Sequence, residues 1–285
     1  LQDPRAKVFW GCARYVEDKM PRVFVLENVS KIQSVKKRRA FNKIWKRLTT
    51  LANSGYLVEK QILRTQEHGI PQSRERMYFV GLRKDIVPKG HKEFPWPEPL
   101  EEISLEPFLD RRKRRPTKED LPKRTNTTAH FGVKRALERL TKDGENPLEK
   151  THVIDCDSSA TFSSSMKDKV PCITKSRGSG HWLTSRGRRM NVEEMLRLQG
   201  MDTNIKKVIS DRQLGGLIGN AMSQNVVERI LCRLLPLAGL VPKEMKLKDR
   251  WVARVKKAPK SEARSKKKTS LKASNMKRSK TTRKC

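Results

Sequence analysis

Three short stretches carry residue types that could do chemistry. Glu27-Asn28 ends the apolar run Val23-Phe24-Val25-Leu26, Gln72-Ser73-Arg74-Glu75-Arg76 leads into Met77-Tyr78-Phe79-Val80, and Gly219-Asn220-Ala221 forms a late Gly-Asn turn. A carboxyl group at the end of a buried strand is desolvated and suits an acid. Arg74 and Arg76 are two residues apart, so on an extended strand they project to one side while Glu75 points away. Two parallel guanidinium groups suit a phosphate, a carboxylate or a base oxygen. In isolation the same residues also fit a loop carboxylate and a solvated charge cluster. The apolar residues after Arg76 place the arginines at the mouth of a core.

The elements that must position these groups alternate between helix and strand. Residues around Pro4 to Met20 read as a helix, with Val8, Phe9, Cys12 and Val16 on its apolar stripe and Cys12 as a small buried hydrophobe. Arg22 to Val29 reads as a buried parallel strand that delivers polar groups at its carboxyl end. Residues 36 to 54 form an amphipathic helix with Phe41, Ile44, Trp45, Leu48 and Leu51 on one stripe, closed by Gly55. Strands follow over Tyr56 to Leu63 and Arg76 to Leu82. This βαβ-type pattern is part of a doubly wound α/β sheet. From about Ile86 to Gly180 prolines cluster and basic runs such as Arg111-Arg112-Lys113-Arg114-Arg115 intervene, as in a small irregular domain. Asn191 and Glu194 then form a capping box for a helix that Gly200 ends, with Met195 and Leu198 facing inwards. A last helix spans roughly Gln224 to Leu235, with Val227, Ile230, Leu231 and Leu234 as its core face.

Composition narrows the class. The chain has 285 residues and a formal net charge of +34, which points to a polyanionic partner. From residue 243 onward it has 18 Lys+Arg against 3 Asp+Glu, the pattern of a disordered basic tail. No apolar run is long enough to span a membrane, and nothing resembles a signal peptide. The five cysteines are scattered without CxxC pairing, which argues against a disulfide framework and a metal site.

Taken in order, these stretches resemble the DNA cytosine-5 methyltransferase family. Residues 2 to 16 look like the helix after its catalytic loop, Glu27-Asn28-Val29 like its Glu-Asn-Val motif, and Gly55-Tyr56 like a further one. Gln72-x-Arg74-x-Arg76 matches its Gln-x-Arg-x-Arg motif, Arg188-Arg189-Met190 through Gly200 the next, and Gly219-Asn220-Ala221 the last. The resemblance covers roughly residues 2 to 238. It implies a partial doubly wound, Rossmann-like fold dependent on S-adenosyl-L-methionine, divided into residues 1–86 (second half of the catalytic domain), 87–180 (target-recognition region), 181–240 (return to the catalytic domain) and 241–285 (disordered basic tail). It also implies transfer of a methyl group to carbon 5 of a cytosine flipped out of double-stranded DNA. Glu27 then contacts N3 and the exocyclic amine. Arg76 holds O2 and orients Glu27, Arg74 lies nearer the nucleophile loop or a phosphate, and Asn28 braces that loop. Asn220 and Ala221 lie by the methionyl group of the cofactor, with Ala221 where the family usually has Ser, and Gly219 permits that close approach.

Sequence readout is expected in the recognition region, where Thr174, Lys175 and Arg177 are the candidate DNA-binding residues, Arg177 for a guanine edge and Lys175 for a phosphate. His181 is expected to be structural. No cysteine stands in a Pro-Cys-Gln turn, since Cys172 follows Pro171 but precedes Ile173, and no glycine-rich first cofactor turn is present in the sequence. The expectation is therefore a fragment of the enzyme, inactive alone, in the nucleus, with duplex DNA as partner and neither metal nor membrane. The alternatives are one half of a split methyltransferase that needs a complementary N-terminal half, and a non-catalytic DNA-binding or regulatory relative.

Overall fold

A computed structural model describes residues 6–34, 38–91, 93–159, 164–242 and 244–257. The chain forms two compact units, each built from discontinuous segments. Unit 1 holds residues Leu1–Arg64, Glu75–Pro99 and Val226–Arg250, and unit 2 holds Thr65–Arg74, Leu100–Asn225 and Trp251–Cys285.

In unit 1, α1 (Ala6–Lys19), β1 (Val23–Val29), α2 (Arg39–Thr49), the short α3 (Leu51–Ser54) and β2 (Tyr56–Arg64) come first in the chain. The strand order is β1-β4-β2, where β4 is Glu75–Arg83. β4 pairs antiparallel with both neighbours, so β1 and β2 run parallel to each other but are not adjacent. The expected parallel pairing of β1 fails for that reason: a later strand of opposite direction occupies the place beside it. The alternation of β4 feeds two cores. Met77 and Phe79 join Phe41, Ile44, Leu48, Ala13 and Val16 on one face. Tyr78, Val80 and Leu82 join Val226, Ile230 and Leu234 of α7 (Gln224–Leu237) on the other. Coverage of both faces explains why β4 is apolar without alternation.

Several boundaries differ in detail. Val8 on α1 is 67% exposed, and the buried stripe is Ala13 and Val16, with Phe9 partly buried against them. Gly55 is not a left-handed cap, with φ −69°; the left-handed turn is made by Ala52, Asn53 and Ser54. Residues 35–37, at the start of the expected helix, lie outside the described residues.

Unit 2 contains β3 (Gln72–Ser73), α4 (Thr128–Lys142), β5 (His152–Ile154), β6 (Ser165–Lys167), β7 (Val170–Pro171), β8 (Trp182–Leu183), β9 (Arg188–Arg189), α5 (Val192–Gln199), α6 (Asp211–Asn220) and most of α8 (Arg250–Lys257). Four strands order as β6-β5-β8-β9, and β3 pairs with β7 in parallel. The segment expected to be irregular thus carries a regular helix, α4, whose Ala129, Val133 and Ala136 pack on Ile154, Cys156 and Trp182. Residues after 180 do not leave this unit until Asn225, because α5 and α6 bury Val192, Met195, Leu198 and Ile218 with Val153, Val170, Ile173 and Leu183. The helix α5 starts and stops as expected: Asn191 and Glu194 form the capping box, and Gly200 takes φ +82°.

The expectation of a disordered tail from residue 241 is corrected over Arg250–Lys257. Arg250–Lys257 is helical and Trp251 is 2% exposed in the unit 2 core. Val255, one turn further on, packs against the same core, and a single i, i+4 pair among lysines and arginines gave too weak a signal to read in the sequence. Residues 258–285, including Lys266-Lys267-Lys268, lie outside the described residues. Among the described residues no helix is long and apolar enough to cross a membrane.

Candidate active site and DNA-recognition residues

In unit 1, β1 and β4 bring Glu27 and Arg76 together. Val29 opposes Arg76 and Glu27 opposes Tyr78 across the ladder, so the two residues are diagonal neighbours on one face, within reach of long side chains. Arg76 Nε lies 3.1 Å from Glu27 Oε1, with the side chains 15% and 16% exposed. Arg76 Nη1 also donates to the carbonyl of Glu75 at 2.8 Å. The result is a mostly desolvated carboxylate-guanidinium pair at the carboxyl end of β1. Asn28 turns back on its own backbone, its Oδ1 accepting from the Val29 amide at 2.8 Å.

Arg74 does not sit on the same strand face as Arg76. Its amide donates to Gln72 O, the chain bends between β3 and β4, and its side chain is buried at 3% exposure. Nη1 donates to Ile173 O (3.0 Å) and Gly219 O (3.3 Å), and Nη2 to Ala221 O (2.7 Å). The expected same-side pair of arginines is corrected by this bend. Glu75 does point elsewhere, to Arg64 at 2.8 Å.

Gln72 completes the web around Arg74. Its Nε2 donates to Leu198 O (2.8 Å) and Gln199 Oε1 (2.9 Å), while its Oε1 accepts from the Ile173 amide (3.2 Å). Gln199 Nε2 in turn donates to Ile218 O (2.9 Å) and Ala221 O (3.0 Å). The Gln72-x-Arg74 motif therefore ties the ends of α5 and α6 to the segment that leads into Thr174. Buried carbonyls without a donor are costly, so this web holds three chain segments in one arrangement.

Glycines on α6 set how closely that segment lies. A Cβ on Gly219 would fall 2.3 Å from the backbone of Thr174, and one on Gly215 2.1 Å from Gly178 O. The approach that Gly219 permits is thus to the backbone of Thr174 and Lys175 in the chain itself. Upon this seat Lys175 is exposed and Thr174 half-buried. Thr174 Oγ1 lies 3.1 Å from Ser176 Oγ. Arg177 is engaged by Asp155, Nε to Oδ1 at 2.6 Å and Nη2 to Oδ2 at 3.0 Å. Burial raises the Asp155 pKa, but His181 and Arg177 outweigh it and hold the carboxyl well below the usual range. Asp155 has little signal in the sequence beyond being an acid directly after the apolar pair Val153-Ile154. His181 is 1% exposed beside Asp155, as a structural histidine would be.

Asn220 ends α6 exposed, and among the described residues its side chain makes no hydrogen bond. A free amide there fits a polar group of a cofactor, whereas the Ala221 carbonyl is already committed to Arg74 and Gln199. Four cysteines are described. Cys156 is fully buried, and burial pushes its thiol up to about 11. Burial also raises the half-buried Cys232. Cys172 Sγ lies 3.7 Å from Arg74 Nη1, and Cys12 is half-buried on α1. Among the described residues no three His, Cys, Asp or Glu side chains could hold a metal ion.

The sequence model of the C-5 cytosine-specific DNA methylases matches residues 1–235. Type II methyltransferase M.NgoBI of Neisseria gonorrhoeae is 28% identical over 255 residues, 88% of this chain and 72% of that protein. M.HaeII of Haemophilus aegyptius is 30% identical over 230 residues, 80% of this chain and 65% of that protein. The match to M.SsoII of Shigella sonnei, at 37% identity, takes in 35% of this chain and 25% of that one. Among solved structures, the Entamoeba histolytica methyltransferase EhMeth superposes with a TM-score of 0.54 at 18% identity, covering 84% of this chain and 71% of its own. A prophage-encoded DNA modification methyltransferase (E. coli) gives 0.53 at 17% identity, covering 84% and 74%. These two likenesses concern the fold.

Proposed function

Because the chain belongs to the C-5 cytosine-specific DNA methylase family, we propose that it forms the base-holding and DNA-recognition part of a DNA cytosine-5 methyltransferase. The observation that carries this reading is the Glu27–Arg76 pair, desolvated at the carboxyl end of β1, where an α/β sheet delivers its functional groups. The target cytosine leaves the duplex. Glu27 then holds a proton at N3 and accepts from the exocyclic amine, while Arg76 donates to O2 and keeps the Glu27 carboxylate aimed. Charge that builds on the ring during attack at carbon 6 is thereby relieved at N3 and O2. Asn28 follows Glu27 and would brace the loop that carries the nucleophile.

S-adenosyl-L-methionine would supply the methyl group, held in part by the Asn220 amide and the backbone at Ala221. Arg74 acts through position: it keeps the α6 end and the recognition segment in place. Thr174, Lys175 and Arg177 would meet the DNA, Lys175 at a phosphate and Arg177 after release from, or alongside, Asp155.

The thiolate for carbon 6 is proposed to come from outside these 285 residues, since no Pro-Cys-Gln turn occurs in the sequence. It would lie in a longer form of the same polypeptide or in a complementary chain. That same lack of a Pro-Cys-Gln turn favours, as a second reading, a DNA-binding relative without catalysis. Methyl transfer measured on the polypeptide that carries the thiolate separates the two. Glu27→Ala and Arg76→Ala are each expected to lower turnover by about 10² or more, with DNA affinity largely kept. Equal losses of turnover and affinity would contradict the roles given to both residues. No turnover from any form of the protein would leave the binding reading.

A further inference from the structure

The run Arg111-Arg112-Lys113-Arg114-Arg115 has no part in the site above, yet unit 2 gives it a defined setting. All five side chains are exposed. Residues 111–114 form one wall of a cleft of about 410 Å³, and Arg186, Arg188 and Arg189 lie on the other wall, around β9. Cations more than seventy residues apart in sequence (Arg114 and Arg186, for example) thus line one concavity.

Most of these cations are held by carboxylates. Arg114 pairs with Asp120, Arg186 with Glu106, Arg188 with Glu194 and Arg189 with Asp157. Arg112 donates to Glu149 O. The acid in the lining, Asp110, is taken up by Arg197 and Asn191. Arg111 and Lys113 differ: among the described residues neither makes an ion pair or hydrogen bond. Gly187, at φ +59°, lies against Asp120, the partner of Arg114: a Cβ there would fall 2.8 Å from that side chain. The cleft therefore combines oriented guanidinium groups with two uncompensated positive charges.

We propose that this cleft grips the sugar-phosphate backbone of duplex DNA, with Arg111 and Lys113 as the cations that release counterions. The proposal rests on the DNA reading above and adds a contact that is blind to sequence. Arginine dominates the lining, and its fork suits phosphate oxygens. Arg111 and Lys113 are two residues apart, a reach of about 7 Å in extended chain. A nucleic-acid strand presents a charge every ~3.4 Å of axis, so both cations can be neutralised by neighbouring phosphates. An acidic polypeptide seldom offers such dense and regular charge.

The test is duplex binding by the whole 285-residue chain, followed by fluorescence anisotropy between about 50 and 200 mM salt. The unsubstituted protein is compared with Arg111→Ala/Lys113→Ala and with Arg111→Glu/Lys113→Glu. Both doubles should unfold at the unaltered temperature, because neither side chain has a partner to lose. The alanine double should reduce the slope of log affinity against log salt by about 1.8, close to 0.9 for each phosphate released. The loss should be equal for a cytosine-containing duplex and its scrambled counterpart, and greater for the glutamate double. An unchanged slope would overturn the proposal, as would a loss confined to one sequence. It would also fall if polyglutamate bound the unsubstituted chain and lost that binding in the doubles while DNA binding did not change. Failure of the unsubstituted chain to bind any duplex would overturn the DNA reading as well, which separates the two.

Discussion

At the scale of single residues, Arg74 and Arg76 show how similar side chains two positions apart take different work. Arg76 stays on β4 and reaches Glu27. Arg74, past the bend, gives its guanidinium to three carbonyls of its own unit. Removing it leaves buried acceptors without a charged donor, a loss of roughly 3 kcal/mol. Arg74→Ala should therefore lower the urea midpoint of unfolding clearly, and any fall in turnover should follow that loss of folded protein. A variant of unaltered stability with much reduced turnover would instead put Arg74 in contact with substrate. The doublet was legible in the sequence as a doublet; its division was not, because the bend depends on a hydrogen bond from Arg74 N to Gln72 O and on the pairing of β3 with β7.

At the scale of elements, α5 is the clearest case of local rules and tertiary contacts agreeing. Asn191 accepts from the Glu194 amide (2.8 Å) and Glu194 Oε2 accepts from the Asn191 amide (2.9 Å), which satisfies two helix-start donors. The Glu194 carboxylate, 0% exposed, also takes Arg188 Nη1 and Nη2 (both 2.8 Å) and the Asp110 amide (2.9 Å). Glu194→Ala removes every bond the carboxylate makes, leaving only the Asn191 cap on the residue-194 amide, and should destabilise the protein by about 3 kcal/mol. Glu194→Gln keeps the reciprocal cap and should cost less, in proportion to the charge lost beside Arg188. Equal unfolding midpoints for the two variants would mean that the ion pair adds nothing to the cap. The capping box could be read from the spacing Asn191-x-x-Glu194. The partners from Asp110 and Arg188 could not, since both arrive from other segments.

At the scale of the whole molecule, the chain passes back and forth between two units, and each unit needs pieces distant in sequence. The basic end illustrates the consequence. Trp251 packs in the unit 2 core with Ile70 and Leu198, and the Arg254 guanidinium lies 4.5 Å from the Phe108 ring centroid. A chain that ends at Lys257 should keep its stability while losing DNA affinity to a similar degree for all sequences. One that ends at Pro242 should lose a further ~3–5 kcal/mol of stability, the range for removing a buried Trp. Thermal unfolding of the two truncations checks this, and identical curves would show that the helix Arg250–Lys257 is not part of the folded core.

The sequence by itself determined what depends on neighbours in the chain. These are the strand that carries Glu27, the stripe of Phe41, Ile44 and Leu48, the helix capped by Asn191 and ended by Gly200, the basic character, and the ordered motifs that mark the family. Periodicity, caps and charge are local properties and can be counted along the chain. Tertiary structure decided what depends on segments meeting: the antiparallel β4 between β1 and β2, the reach of Arg76 to Glu27, the seat that Gly215 and Gly219 make for Thr174–Gly178, and the helix that buries Trp251. None of these has a signature in local spacing. Each follows from which backbones and side chains can share a space, and that is settled only when the segments pack.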